Sequence, residues 1–168
     1  MNVYLNGKKI SINASSSIGK GGEADIYDIG GGLVLKLFKQ PNHPDFVGFP
    51  QEKLAAQIRL NEHQRKLLAF PKNLPNKVIA PICLAMNNDG SRILGYSMRF
   101  LNGYETLLKY SDKSYRKIVS NDLVVKTFCD LYQTVTGIHN AGVVIGDFND
   151  LNVLVSNGEA YIIDADSF

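Results

Sequence analysis

The residues best suited to chemistry lie near the end of the 168-residue sequence. In Ile145-Gly146-Asp147-Phe148-Asn149-Asp150-Leu151-Asn152-Val153-Leu154-Val155, and then in Tyr161-Ile162-Ile163-Asp164-Ala165-Asp166, polar residues are pinned between short apolar runs. Small strands there would put Asp147, Asn152 and Asp164 at strand ends, where they can converge on one site. Carboxylate and amide oxygens are hard ligands of the kind Mg²⁺ takes. Asn and Asp are also ordinary turn formers, and Asn157-Gly158 is read as a turn and nothing more.

Two further signals come earlier in the chain. Gly19-Lys20-Gly21-Gly22-Glu23 lies between two expected strands, where missing side chains let backbone N–H groups approach phosphate oxygens. Alone, this cluster reads equally well as a hairpin turn. It lacks the Gly-Lys-Ser/Thr ending of a Walker loop, and a strand follows it where a dinucleotide fingerprint would have a helix. The other signal is Val34-Leu35-Lys36-Leu37-Phe38, a lysine inside an apolar strand. A buried ammonium demands an anionic partner, so beside the glycine cluster Lys36 reads better as a phosphate binder than as an edge-strand lysine facing solvent.

These residues need a scaffold. Residues 3–5 and 10–12 flank Asn6-Gly7, a hairpin-turn dipeptide. Residues 17–20, 25–29 and 33–38 continue an antiparallel meander. Residues 51–70, bounded by Pro50 and Pro71, read as one helix, and 78–86 and 93–101 as two more strands. Beyond a polar connector at 111–121, Val124, Phe128, Leu131, Val135 and Ile138 recur at helical spacing, with Asn121 as the expected N-cap and Gly142 as the stop. Residues 143–145, 153–155 and 161–163 are expected as small strands.

The ordered set of glycine loop, strand lysine, D-x-x-x-x-N and a second metal-binding aspartate resembles the protein-kinase signature, over residues 18–166. More narrowly, Gly-x-Gly-Gly-Glu, Ile-Gly-Asp-x-Asn-x-x-Asn-Val-Leu-Val and Ile-Asp-Ala-Asp-Ser-Phe look like a bacterial group of kinase-like proteins, some fused to a helix-hairpin-helix region. The resemblance implies an α+β fold. A β-sheet N-lobe with one helix would span residues 1–101, and a truncated, mostly helical C-lobe residues 102–168, with a catalytic loop at 145–152 and a metal-binding segment at 164–166. It also implies roles. Gly19, Gly21 and Gly22 would cover the phosphates of ATP, Ile18 and Ile26 would pack on adenine, and Met98, Phe100 and Leu101 would lie in the hinge strand. Lys36 would hold the phosphates, Asp147 would take the acceptor's proton, and Asn152 and Asp164 would hold Mg²⁺. The expected partner of Lys36 is Glu62, placed at 100° per residue on a stripe with Ile58 and Ala69, while Glu52 stays open. The implied activity is transfer of phosphate to a Ser/Thr hydroxyl on a protein substrate, with a nucleotide-binding pseudokinase as the alternative.

The motif departs from the family's at several points. Ile145-Gly146 replaces the usual His-Arg, and Asn149 stands where a lysine is usual, which removes a positive charge from the transferring phosphate. Ala165-Asp166 replaces Phe-Gly. An activation loop and a peptide platform would lie past Phe168, so the sequence is expected to be a fragment of a longer protein and inactive alone.

Composition narrows the remaining classes. A net charge of +2, with its densest basic stretch at 113–117 beside Asp112, argues against a nucleic-acid footprint. Cys83 and Cys129 have no metal-like spacing with His43, His63 or His139. No apolar run reaches the roughly 18 residues of a membrane span, and a cytoplasmic location is expected. With 45% hydrophobic residues the chain can build a core without staples.

Overall fold

The computed structural model describes residues 1–168, excepting the side chain of residue 14. The chain divides into two compact units, Met1–Phe70 with Pro81–Phe100, and Pro71–Ala80 with Leu101–Phe168.

The first unit is a seven-stranded antiparallel sheet with one long helix. Its strands are β1 (Asn2–Leu5), β2 (Lys8–Ser11), β3 (Ser17–Lys20), β4 (Ala24–Gly30), β5 (Leu33–Phe38), β6 (Cys83–Met86) and β7 (Ile93–Arg99), in spatial order β2-β1-β6-β7-β5-β4-β3. The β1–β2 turn needs positive φ at both central residues, and Asn6 (47°) and Gly7 (76°) supply it. Both faces of β5 are covered, which is why its run reads as continuously apolar apart from Lys36. Leu35 and Leu37 pack with Val3, Ile12, Tyr27 and Ala85; Phe38 packs on the other side with Leu60, Leu67, Ile93 and Tyr96. Helix α1 (Pro50–Lys66) starts with Pro at its first position, where no N–H is needed. It ends four residues short of the expected 70, with Leu67 N–H donating to His63 O.

In the second unit, α2 (Lys113–Arg116) precedes the long helix α3 (Asn121–Asn140), which packs on the hairpin of β9 (Val153–Ser156) and β10 (Glu159–Ile162). A two-residue strand, β8 (Glu105–Thr106), pairs with β9. Ser120, one residue earlier than expected, caps α3 by accepting from Leu123 N–H at 3.2 Å. Gly142, at φ 76°, ends it. The expected strand at 143–145 does not form, because no neighbouring strand pairs with it.

Residues 71–80, expected in the first part of the chain, belong to the second unit by their bonds. Ile79 N–H donates to Ile162 O (2.8 Å) and Ile162 N–H to Lys77 O (2.9 Å), so residues 77–79 run alongside β10. Of the strand expected over 78–86, only Cys83–Met86 remains in the sheet of the first unit. Lys77 ion-pairs with Asp130 on α3 and lies 3.2 Å from Glu159. Asp130 also accepts Ala160 N–H at 2.8 Å, so one carboxylate ties helix, hairpin and incoming segment together.

Candidate functional site

Strand register aligns the expected phosphate-side residues of the first unit. Gly19 pairs with Ile26, Ile26 with Lys36, and Lys36 with Tyr96 on β7. With strands about 4.8 Å apart, Gly19 stands roughly 10 Å across the sheet from Lys36. Lys36 is 8% exposed, and its Nζ lies 5.8 Å from the centre of the Tyr96 ring, within cation–π range. It shares a face of β5 with Phe38, on which the buried His63 ring stacks at 4.2 Å.

The glycine turn is closed by Gly21 N–H donating to Ala24 O at 2.9 Å. A Cβ on Gly22 would meet nothing within 4 Å, so this stretch of backbone is uncovered. Ile18 is exposed and Ile26 half-buried. Of the expected hinge residues, Met98 packs against the core cluster on the α1 side, Phe100 donates its N–H to Gly32 O at 2.9 Å, and Leu101 opens the second unit.

The expected phase of α1 is corrected by its burial. Ala56, Leu60, His63 and Leu67 face the core, whereas Ile58 is 50% exposed and Ala69 is also exposed. Glu62 is exposed and projects roughly 130° from that stripe at 100° per residue, while Glu52 falls within about 50° of it. The error has a physical source: stacking on Phe38 makes a histidine a core residue, and the apolar Ile58 lies outside.

In the second unit, Asp147 and Asn152 meet directly. Asn152 Nδ2 donates to Asp147 Oδ2 and to Asp147 O, both at 3.0 Å. Asn149 completes the turn: its Nδ2 donates to Asp147 Oδ1 at 3.0 Å, and its Oδ1 accepts from Leu151 N–H (2.9 Å) and Asn152 N–H (3.1 Å). Asp164 is reached through the backbone, since Ile163 N–H donates to Asn152 O at 2.9 Å. Asp164 itself is left-handed (φ 62°, ψ 38°), a conformation Asp tolerates better than most residues, and its carbonyl accepts from Ser167 Oγ at 3.0 Å. Gly146 admits no side chain, because a Cβ would stand 2.2 Å from Ser167 O. Residues 146–152 and 163–167 are thus locked to each other by backbone contacts.

No family model matches the chain. It is 25% identical over 164 residues to "Protein kinase YegI" of Escherichia coli O157:H7, a match that covers 94% of this chain and 23% of that protein. Among solved structures, "PpkA-294 apo form" superposes with a TM-score of 0.61 at 17% identity, over 90% of this chain and 57% of that one. The chain therefore spans about a quarter of the curated relative and somewhat more than half of the solved chain.

The chain has a protein-kinase-like fold.

A protein-kinase-like fold implies Mg²⁺ carried with a nucleotide, and the donor set fits that ion. Committing Asn152 Nδ2 to Asp147 turns the amide oxygen away from it, and the Asp164 carboxylate follows one residue after the backbone link. Among the described residues no group of three or more His, Cys, Asp or Glu forms an all-protein cage. Mg²⁺ binds through one or two protein oxygens plus phosphates and water, so one amide and one carboxylate suffice.

Within each unit, a residue whose structural role the sequence did not reveal braces the expected site residues. Asn149, read only as a lost positive charge, is the brace of Asp147. Its signal was an Asx turn, an Asn whose side chain can reach the amides two and three residues on. Lys39, unremarked beside Lys36, is 5% exposed and donates to Gly21 O at 2.6 Å and to Asp45 Oδ2 at 2.5 Å. That bond holds the Asp45 carboxyl below its ordinary range. Cys83 and Cys129 are both free thiols, and no helix is long and apolar enough to cross a membrane among the described residues.

Proposed function

We propose that the chain is the nucleotide-binding part of a cytoplasmic Mg²⁺-ATP-dependent phosphotransferase that acts on Ser/Thr hydroxyls of a protein substrate. The observation that supports it most is the Asp147–Asn152 side-chain bond, with the Asn152 carbonyl tied to the residue before Asp164. In this reading Asp147 orients the acceptor hydroxyl and takes its proton, while Asn152 and Asp164 hold Mg²⁺. Lys36 holds the phosphates, and Gly19, Gly21 and Gly22 offer backbone N–H groups to them. Ile18 and Ile26 pack on adenine, and Met98, Phe100 and Leu101 form the hinge. Glu52, exposed like Glu62 but nearer in helical phase to the core-facing stripe of α1, replaces Glu62 as the carboxylate for Lys36.

The test is phosphate transfer by the natural protein that contains this chain. Incorporation of labelled phosphate into protein, abolished by Asp147→Asn, supports the reading. Absence of any Asp147-dependent transfer, together with no rise in melting temperature on adding Mg²⁺-ATP, overturns it.

One observation favours a second reading. Both oxygens of Asp147 already accept amide N–H groups, from Asn149 and Asn152, and Asn149 brings no positive charge to the transferring phosphate. A nucleotide-binding pseudokinase would show the same arrangement. Binding of Mg²⁺-ATP without turnover selects it; measurable Asp147-dependent transfer eliminates it.

A further inference from the structure

The glycine turn is fixed from behind by a charge cluster around a buried lysine. Lys39 follows β5 directly, and its side chain is 3% exposed. Its Nζ donates to the backbone carbonyl of Gly21 (2.6 Å) and to Asp45 Oδ2 (2.5 Å), and lies 3.7 Å from Asp25 Oδ1. His43 closes the cluster. Its Nδ1 accepts Asp45 N–H at 3.3 Å, and its Nε2 faces Asp25 Oδ2 at 3.5 Å. The Lys39 backbone N–H donates to Glu23 O at 2.8 Å, so Lys39 grips the turn from main chain and side chain alike.

A buried ammonium cannot trade its partners for water, so each acceptor it uses stays in place. One of those acceptors is the Gly21 carbonyl. In a trans peptide the C=O of one residue and the N–H of the next point in opposite directions. Holding Gly21 C=O on Lys39 therefore turns Gly22 N–H away from the cluster, at the position where a Cβ on Gly22 would meet nothing within 4 Å. The second hold on the turn, Arg59 Nε to Glu23 Oε1 at 3.3 Å, is solvent-exposed on the Glu23 side and contributes less.

We propose that Lys39 is a positioning residue for nucleotide, which by fixing the Gly21–Gly22 peptide presents the Gly22 N–H to a phosphate oxygen. This deepens the phosphotransferase reading and rests on it. Lys39 touches no phosphate itself, so its effect must be specific to ligands that carry phosphate.

The test compares Mg²⁺-ATP with adenosine, which has none, by titration calorimetry on wild type, Lys39→Met and Lys39→Arg. Lys39→Met is expected to weaken Mg²⁺-ATP binding about tenfold or more, the scale of one charge-assisted hydrogen bond, while adenosine affinity changes less than about twofold. Lys39→Arg is expected to restore most of the loss. In parallel, amide exchange of the segment 19–24 should quicken in Lys39→Met. If Lys39→Met does not fold, Asp45→Asn takes its place: it removes a half-exposed anchor of the ammonium and should give the same pattern, reduced to about threefold. Equal Mg²⁺-ATP affinity in wild type and variant, or equal losses for Mg²⁺-ATP and adenosine, overturns the proposal. Wild type that binds neither ligand overturns instead the nucleotide reading on which it rests.

Discussion

The carbonyl oxygen of Ser167 occupies the space that a side chain on Gly146 would need, 2.2 Å from where its Cβ would stand. This contact joins the residue before Asp147 to the short turn after Asp164. Neither side can yield easily, because Ser167 also donates N–H and Oγ to Asp164 O. Gly146→Ala is expected to destabilise the chain by about 2–3 kcal/mol, read as a lowered urea midpoint. An unchanged midpoint would mean that the two segments are not held this closely.

A similar approach fixes Lys36. A Cβ on Gly95 would stand 1.9 Å from Lys36 O, inside the β5–β7 ladder. Gly95→Ala is expected to cost about 3 kcal/mol or to abolish soluble expression. Gly22→Ala, with open space around it, should leave the melting temperature nearly unchanged. Thermal unfolding of the two variants side by side checks the contrast.

Asn149→Ala removes the brace of Asp147 and the side-chain oxygen that accepts both amide N–H groups of the turn. Phosphate transfer by the natural protein is expected to fall about tenfold to a hundredfold, while Mg²⁺-ATP affinity changes less than about threefold. Equal losses in binding and transfer would show that Asn149 supports the fold of the loop and not the aim of Asp147.

The Lys77–Asp130 pair gives a pH dependence. Burial pushes the Asp130 carboxyl up, but the Ala160 N–H and the Lys77 ammonium outweigh it and hold the carboxyl below its ordinary range. A depressed folded value means stability that is present above the unfolded value of about 3.9 and lost as pH falls through the folded one. Burial pulls Lys77 down, and its hydrogen bonds to Asp130 and Glu159 more than offset this, raising it. That contribution is present below about pH 10.4 and lost as pH rises through the folded value. Asp130→Asn is expected to lower stability at pH 7 by about 2 kcal/mol, with the gap to wild type closing below about pH 4. Denaturant midpoints taken from pH 2 to 7 decide it.

The sheet was legible because strand and turn signals are local: Asn6-Gly7 and the run around Lys36 name their own conformations. Helix phase was less so. On α3 the buried stripe is Thr127, Leu131, Thr134 and Ile138, while Phe128 is 49% exposed. The two threonines are buried because their hydroxyls donate to Leu123 O (2.8 Å) and Asp130 O (3.1 Å) within the helix, so an apolar count rotates the face away from them. His63 misled the reading of α1 in the same way. Residues 71–80 were misplaced because their partners, Asp130 and Ile162, lie more than 50 residues away in sequence. The closeness of Asp147 and Asn152 was legible because their spacing is short. The roles of Asn149 and Lys39 depend on which carboxylate or carbonyl each side chain meets, which spacing does not encode.

The most direct measurement is the Mg²⁺ dependence of ATP affinity in wild type and in Asp164→Ala. If Asn152 and Asp164 hold the ion that comes with the nucleotide, Mg²⁺ should tighten ATP binding to wild type by about tenfold or more, and Asp164→Ala should remove most of that gain. Equal gains in both proteins, or none in wild type, would contradict it.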